Sequence, residues 1–177
     1  LRGLGIQTGD RVALTGLNST RYLAVDLAIG LVGAVSVPLY YTSPPADINQ
    51  ILLSSGSKLF FVGIPSLLTH VEELCQDVPI VSLCREPFPQ SLSRKVDSWQ
   101  EFLSKGASTD SNVKAPVNFG DTATLRYSSG TTGKPKGAVF NHSNLRYMAE
   151  SKVSITDWRA RSRASSYLSF LPMGHVV

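Results

Sequence analysis

Between Thr124 and Val139 the sequence carries four hydroxyl side chains (Ser128, Ser129, Thr131, Thr132), three glycines (Gly130, Gly133, Gly137) and two lysines (Lys134, Lys136), with an apolar run leading in and another leading out. Glycines allow backbone angles closed to other residues and let a main chain approach a ligand closely. Successive backbone N–H groups then form a concavity that holds an anion. The hydroxyls add donors, and the lysines add charge suited to a polyphosphate. A glycine-rich hairpin turn that binds nothing is the competing reading. Against it stand the density of hydroxyls and Pro135, which stiffens the exit between the two lysines.

Other chemistries fit less well. The P-loop of nucleotide triphosphatases needs a glycine, four residues, then Gly-Lys-Ser/Thr. Here Ser128 stands where that first glycine belongs, and Pro135 follows Lys134. Ser128 and Ser129 do not lie in a G-x-S-x-G elbow, which argues against a serine hydrolase. His70 and His142 read as structural residues, and His175 by itself as an ordinary loop histidine. No histidine and carboxylate spacing points to a transition metal. Cys75 and Cys84 fit neither a zinc pattern nor a C-x-x-C pair, so they read as buried, reduced thiols. Reduced thiols favour an intracellular compartment.

The elements that must position the loop alternate between strand and helix. A strand is expected over Arg11 to Leu14, then a helix capped by Asn18 or Ser19 with Tyr22, Leu23, Asp26, Leu27 and Gly30 as its inward stripe. The run from Ala34 to Leu39 reads as a buried strand. Ser43 as cap and Pro44 as first residue open the next helix, with Ile48, Ile51 and Leu52 facing inward and Gly56 at its end. Lys58 to Val62 is a strand. Leu67, Leu68, Val71, Leu74 and Cys75 recur at helical spacing, and Ile80 to Leu83 is a strand. A proline-rich loop covers Arg85 to Leu92. Asp97 is placed to cap a short helix carrying Trp99, Phe102 and Leu103, closed by Gly106, and a polar connection follows over Ala107 to Asn118. This alternation predicts an α/β fold with a largely parallel sheet flanked by helices, in which ligands sit at the carboxyl ends of strands. Ser128 to Gly137 is expected to be a loop linking two strands.

With 177 residues, 42% hydrophobic and 17% charged, the chain suits one globular domain. Its mean hydropathy of +0.03 does not suggest a membrane bundle. The longest apolar run, Leu27 to Val35, includes two glycines and is far shorter than the ~20 residues of a membrane span. A net charge of +4 is mild. Arg159, Arg161 and Arg163 cluster, but no aromatic residues interleave with them, so no nucleic-acid partner is expected.

Tyr127 to Gly137 resembles the signature loop of the adenylate-forming superfamily, which includes acyl-CoA synthetases, firefly luciferases and the adenylation domains of peptide synthetases. The pattern is an aromatic residue, two hydroxyls, Gly, a hydroxyl, Thr-Gly, any residue, Pro-Lys-Gly, and every position matches. Leu4 to Ile6 with Gly9 to Leu14, Gly33 to Tyr40, and Leu171 to His175 are similar to further landmarks of that family. The wording of the loop and of Leu171 to His175 is most like the long-chain fatty acyl-CoA synthetases.

The resemblance implies ATP-dependent activation of a carboxylic acid, a fatty acid in this subgroup, to an acyl-adenylate and then to acyl-CoA. ATP, Mg²⁺ and coenzyme A are the implied cofactors and substrates. Ser128, Ser129, Gly130, Thr131, Thr132 and Gly133 would wrap the outer phosphates, with Lys136 near those phosphates, its rival role being an exposed charge on the hairpin, and Gly137 ending the loop. Lys134 falls at the family's variable position. His175 would stand beside the acyl carboxylate as the catalytic-site residue. The implied setting is the cytoplasm, with room for peripheral association at an intracellular membrane or organelle surface. The family's Mg²⁺ acid, ribose-binding aspartate and C-terminal domain with its lysine have no counterpart in residues 1–177. These residues therefore read as an incomplete N-terminal portion of such an enzyme, expected to be inactive alone. A non-catalytic nucleotide-binding fragment and an adenylation domain that loads a carrier protein are the alternatives.

Overall fold

The computed structural model describes residues 1–85, 94–106, 114–129 and 135–155. Among them are seven strands: β1 (Arg11–Gly16), β2 (Val35–Pro38), β3 (Ser57–Gly63), β4 (Ile80–Ser82), β5 (Val96–Asp97), β6 (Thr122–Ser129) and β7 (Pro135–Asn141). Five helices accompany them: α1 (Thr20–Leu31), α2 (Pro45–Ser55), α3 (Pro65–Leu68), α4 (Trp99–Gly106) and α5 (His142–Ile155). The strands form one sheet in the order β5-β4-β3-β1-β2-β6-β7. Every neighbouring pair is parallel except β6 with β7. The expected α/β architecture is present.

Strand alternation splits the core into two layers. Val12 and Leu14 of β1, with Leu59 and Phe61 of β3, pack with Tyr22, Val25 and Ile29 of α1 and with Trp99 and Phe102 of α4. Ala13, Phe60 and Val62 point the other way, onto Ile48, Ile51 and Leu52 of α2. A sheet covered on both faces explains why these strands read as unbroken apolar runs.

Several local expectations are corrected. Ser19 caps α1, its side chain accepting from the Tyr22 amide. The inward stripe is Tyr22, Val25 and Ile29, while Leu23 and Leu27 are exposed. Leu23 and Leu27 lie about one residue step, 100°, off the line that meets the sheet. Asp26 is partly buried and accepts from Ser36 Oγ at 2.6 Å. The second helix begins at Pro45, and Pro44 is an extended N-cap with no side-chain bond. The cause is Pro45, whose ring drives the residue before it out of the helical region.

The helical spacing from Leu67 to Cys75 yields only the short α3 and a 3₁₀ turn over Val71–Glu73. Asn49 of α2 intervenes, accepting from the Cys75 amide at 2.7 Å and donating to the Glu73 carbonyl at 2.6 Å. Asp97 lies in β5, not at a cap. Ser98 caps α4 instead, its hydroxyl accepting from the Glu101 amide while Glu101 accepts from the Ser98 amide. That reciprocal pair is a capping box. Cys75 and Cys84 are free and only half-buried. The expected loop after Arg85 and most of the connection after Ala107 lie outside the described residues.

Candidate functional site

Because β6 runs parallel to β2, its last residue, Ser129, reaches the same edge of the sheet as the carboxyl ends of β1, β2 and β3. This is the edge where α/β sheets bind ligands. β7 returns antiparallel, and the register closes with Ser129 opposite Pro135, Ser128 opposite Lys136 and Tyr127 opposite Gly137. The ten-residue loop expected from the sequence is therefore shorter. Ser128, Ser129, Lys136 and Gly137 belong to strands, and only residues 130–134 connect them. The apolar alternation stops at Tyr127, so the sequence carries no pleat signal to extend the strands further.

Residues directly opposite in an antiparallel pair share a face, and neighbours along the strand alternate. Ser128 and Lys136 thus stand together on one face at the mouth of the connection, both exposed. Lys136 has no ion-pair partner among the described residues. Tyr127 and Gly137 occupy the opposite face. There Tyr127 and Leu125 pack against the core on the α2 side. Gly130, Thr131, Thr132, Gly133, Lys134 and the histidine expected at the acyl carboxylate, His175, lie outside the described residues.

Past the hairpin, Asn141 caps α5. Its side chain accepts from the Asn144 amide at 3.0 Å, and its own amide donates to Asn144 Oδ1 at 3.0 Å. The helix starts at His142. His70 is exposed, its Nδ1 lying 2.8 Å from the Ser66 carbonyl oxygen and 3.0 Å from Thr69 Oγ1. It lines an open cleft of about 620 Å³ with Tyr41, Ser43, Ile64 and Glu73, at the ends of β2 and β3. Sequence reasoning did not point to that cleft, because its residues come from two separate connections. The described residues hold no group of three or more His, Cys, Asp and Glu side chains able to take a metal ion. No helix among them is long and apolar enough to cross a membrane.

Residues 1–177, the whole chain, match the AMP-binding enzyme family. The chain belongs to that family. Among its AMP-binding relatives, the long-chain-fatty-acid–CoA ligase FadD15 of Mycobacterium tuberculosis is 34% identical over 187 residues, covering 100% of this chain and 29% of the relative. FadD13 of the same species, also a long-chain-fatty-acid–CoA ligase, is 34% identical over 182 residues, covering 100% of this chain and 33% of that protein. The chain thus spans about a third or less of the length of these relatives.

Solved structures agree on the fold. The adenylation domain of a Mycobacterium chelonae carboxylate reductase superposes with a TM-score of 0.73 at 22% identity, over 98% of this chain and 29% of that one. The anthranilate CoA ligase AuaEII, solved with anthranoyl-AMP, gives 0.68 at 26% identity, over 84% of this chain and 28% of that one.

Proposed function

We propose that this chain supplies the phosphate-binding part of an acid–thiol ligase that activates a fatty acid with ATP and passes the acyl group to coenzyme A. One observation carries the proposal. The β6–β7 register sets Ser128 and Lys136 side by side at the carboxyl edge of a parallel sheet, flanking a connection made of Gly130, Thr131, Thr132, Gly133 and Lys134. Supporting it are the two long-chain-fatty-acid–CoA ligases at 34% identity.

In the first half-reaction a carboxylate oxygen attacks the α-phosphorus, the bond to the β-phosphate oxygen breaks, and pyrophosphate leaves. Negative charge grows on the departing phosphates. Donors already fixed around that position stabilise the transition state without reorganising. Ser128, the loop amides and hydroxyls, and the Lys136 ammonium are suited to this task, which needs no base or nucleophile from the hairpin. In the second half-reaction the thiol sulfur attacks the acyl carbon and AMP leaves, with His175 beside the acyl group. When bound, Mg²⁺ supplies further charge neutralisation to the phosphates.

Acid-dependent exchange of labelled pyrophosphate into ATP, run on the full-length polypeptide over fatty acids of several lengths, aromatic acids and amino acids, tests the assignment. Exchange is expected with fatty acids, followed by acyl-CoA formation. Preference for an amino acid overturns the fatty-acid assignment. A second reading is favoured by one relative, a carboxylic acid reductase of Mycobacterium tuberculosis at 30% identity over 186 residues. Under that reading the acyl group goes to a carrier-protein thiol, and free coenzyme A fails to discharge the adenylate.

A further inference from the structure

β6 joins the rest of the sheet at a single register pair, Ser36 with Thr124, where Thr124 Oγ1 also donates to the Ser36 carbonyl at 2.9 Å. The reason lies in β2. The amides of Val35 and Leu39 donate to β1 and its flank, at the Asp10 and Leu14 carbonyls, so the intervening even-numbered residues face β6. Pro38 is one of them, and proline has no N–H to donate. Beyond Thr124 no register pair joins β6 to β2, and Leu125 to Ser129 pair with β7 alone.

Leu125 and Tyr127 reach back to the core on the α2 side, and Tyr127 adds a polar contact nearer the tip of the hairpin. Its hydroxyl lies 3.2 Å from Ser54 Oγ, in the last turn of α2. Ser54 Oγ donates to the Ile51 carbonyl at 3.3 Å, which leaves it as acceptor for the tyrosine. The ring also covers Gly137. A Cβ there would stand 3.0 Å from Tyr127 Cζ and 3.2 Å from Cε1. One residue thus bears on α2 and on both strands of the hairpin.

We propose that Tyr127 is the positioning residue of the phosphate site. Clamped between Ser54 and Gly137, it sets the tilt of the hairpin about the Ser36–Thr124 pivot, and so fixes where Ser128 and Lys136 stand on the opposite face. The proposal rests on the ATP-phosphate reading of that face. Leverage makes the clamp matter. Four residues from Thr124 to Ser128, at about 3.3 Å each, form an arm of about 13 Å, whose tip moves about 1 Å for a tilt of about 5°. Misplacement of that size can cost on the order of 10²-fold in rate.

The test uses the full-length polypeptide with Tyr127→Phe, Ser54→Ala, the double variant and Tyr127→Ala. Tyr127→Phe and Ser54→Ala are each expected to raise the KM for ATP about 3- to 10-fold, the worth of one net hydrogen bond. The KM for the acid should stay unchanged, the Tm should fall by no more than about 4 °C, and the double variant should be no worse than the worse single. Tyr127→Ala should lose on the order of 10²-fold in kcat/KM for ATP, most of it regained by Tyr127→Phe. Amide hydrogen exchange reads the clamp without turnover. Tyr127→Ala should speed exchange over residues 126–129 and 136–138 and spare β1 and β3. Unchanged exchange in the hairpin overturns the proposal. So does a KM for ATP within twofold of wild type in every variant, or a parallel shift of both KM values and the Tm. A wild-type protein that protects its hairpin through Tyr127 but exchanges pyrophosphate with no acid overturns the ligase reading instead.

Discussion

Gly16 and Gly63 face each other at the carboxyl ends of β1 and β3, so close that a Cβ on either would stand 3.2 Å from the other's Cα. A Cβ on Gly16 would also meet Tyr22 Cδ2 at 3.4 Å, and one on Gly63 would meet the Leu83 Cβ at 3.5 Å. Side chains at these positions must part the two central strands. Gly63→Val is expected to cost about 1–3 kcal/mol, with Gly63→Ala at the low end. Gly16→Val and Gly63→Val together should cost less than their sum, since both open one gap. Urea midpoints of the two singles and the double check this. Strict additivity would show that the strands accommodate each side chain separately.

The hydroxyls between Ser129 and Pro135 are expected to act on phosphate rather than on folding. Thr131→Ala or Thr132→Ala should change stability by no more than about 0.5 kcal/mol. Pyrophosphate exchange should fall by on the order of 10²-fold, the usual cost of losing one well-placed donor to developing charge. Lys136→Ala should raise the KM for ATP and leave the Tm in place. Measuring melting and exchange on the same preparations separates the roles. Stability and activity falling together would make the connection a structural turn.

Asp10 ties the entrance of β1 to the rest of the sheet. Its Oδ2 accepts from the Gln7 amide at 2.9 Å, and its Oδ1 lies 2.7 Å from Lys58 Nζ. Burial by itself raises the carboxyl pKa. The hydrogen bonds from Lys58 and Gln7 and the charges of Lys58 and Arg11 outweigh it and hold the group below its ordinary 3.8. A carboxylate lowered in the folded state adds stability that is present above the unfolded value and is lost as the pH falls through the folded value. Asp10→Asn should therefore flatten the acid limb of the stability curve below about pH 4. At neutral pH the loss should not exceed about 1 kcal/mol, because Lys58 is half in solvent and screened. Denaturation series between acid and neutral pH decide it, and parallel curves would rule the linkage out.

Tyr22 is fully buried, and its hydroxyl has no hydrogen-bond partner among the described residues. Burial and the nearby Asp26 charge push its pKa up against the opposing charge of Arg126, so the phenol stays neutral. An unpaired buried donor carries a desolvation cost without a return. Tyr22→Phe should therefore be neutral or gain up to about 1 kcal/mol, where a paired tyrosine would lose about that much. A clear loss on chemical denaturation would reveal a partner for the hydroxyl.

The sequence alone determined the inner face of α2, the buried strands and the family signature. Ile48, Ile51 and Leu52 recur at helical spacing and are buried, and β1 to β4 announce themselves as apolar runs because helices cover both faces of the sheet. The pattern from Tyr127 to Gly137 was legible because it confines residue types to a short stretch. What spacing cannot encode is which distant residue answers a given side chain. Asn49 breaks the helical run at Cys75 from 26 residues away, and Tyr127 finds Ser54 across 73. The order of the strands, with Thr124 beside Ser36 across 88 residues, likewise exists only in the folded chain. So does the length of the β6–β7 connection. Its ends are set by the pairing of Ser128 with Lys136, and hydrogen bonds between strands leave no mark on either strand's own sequence.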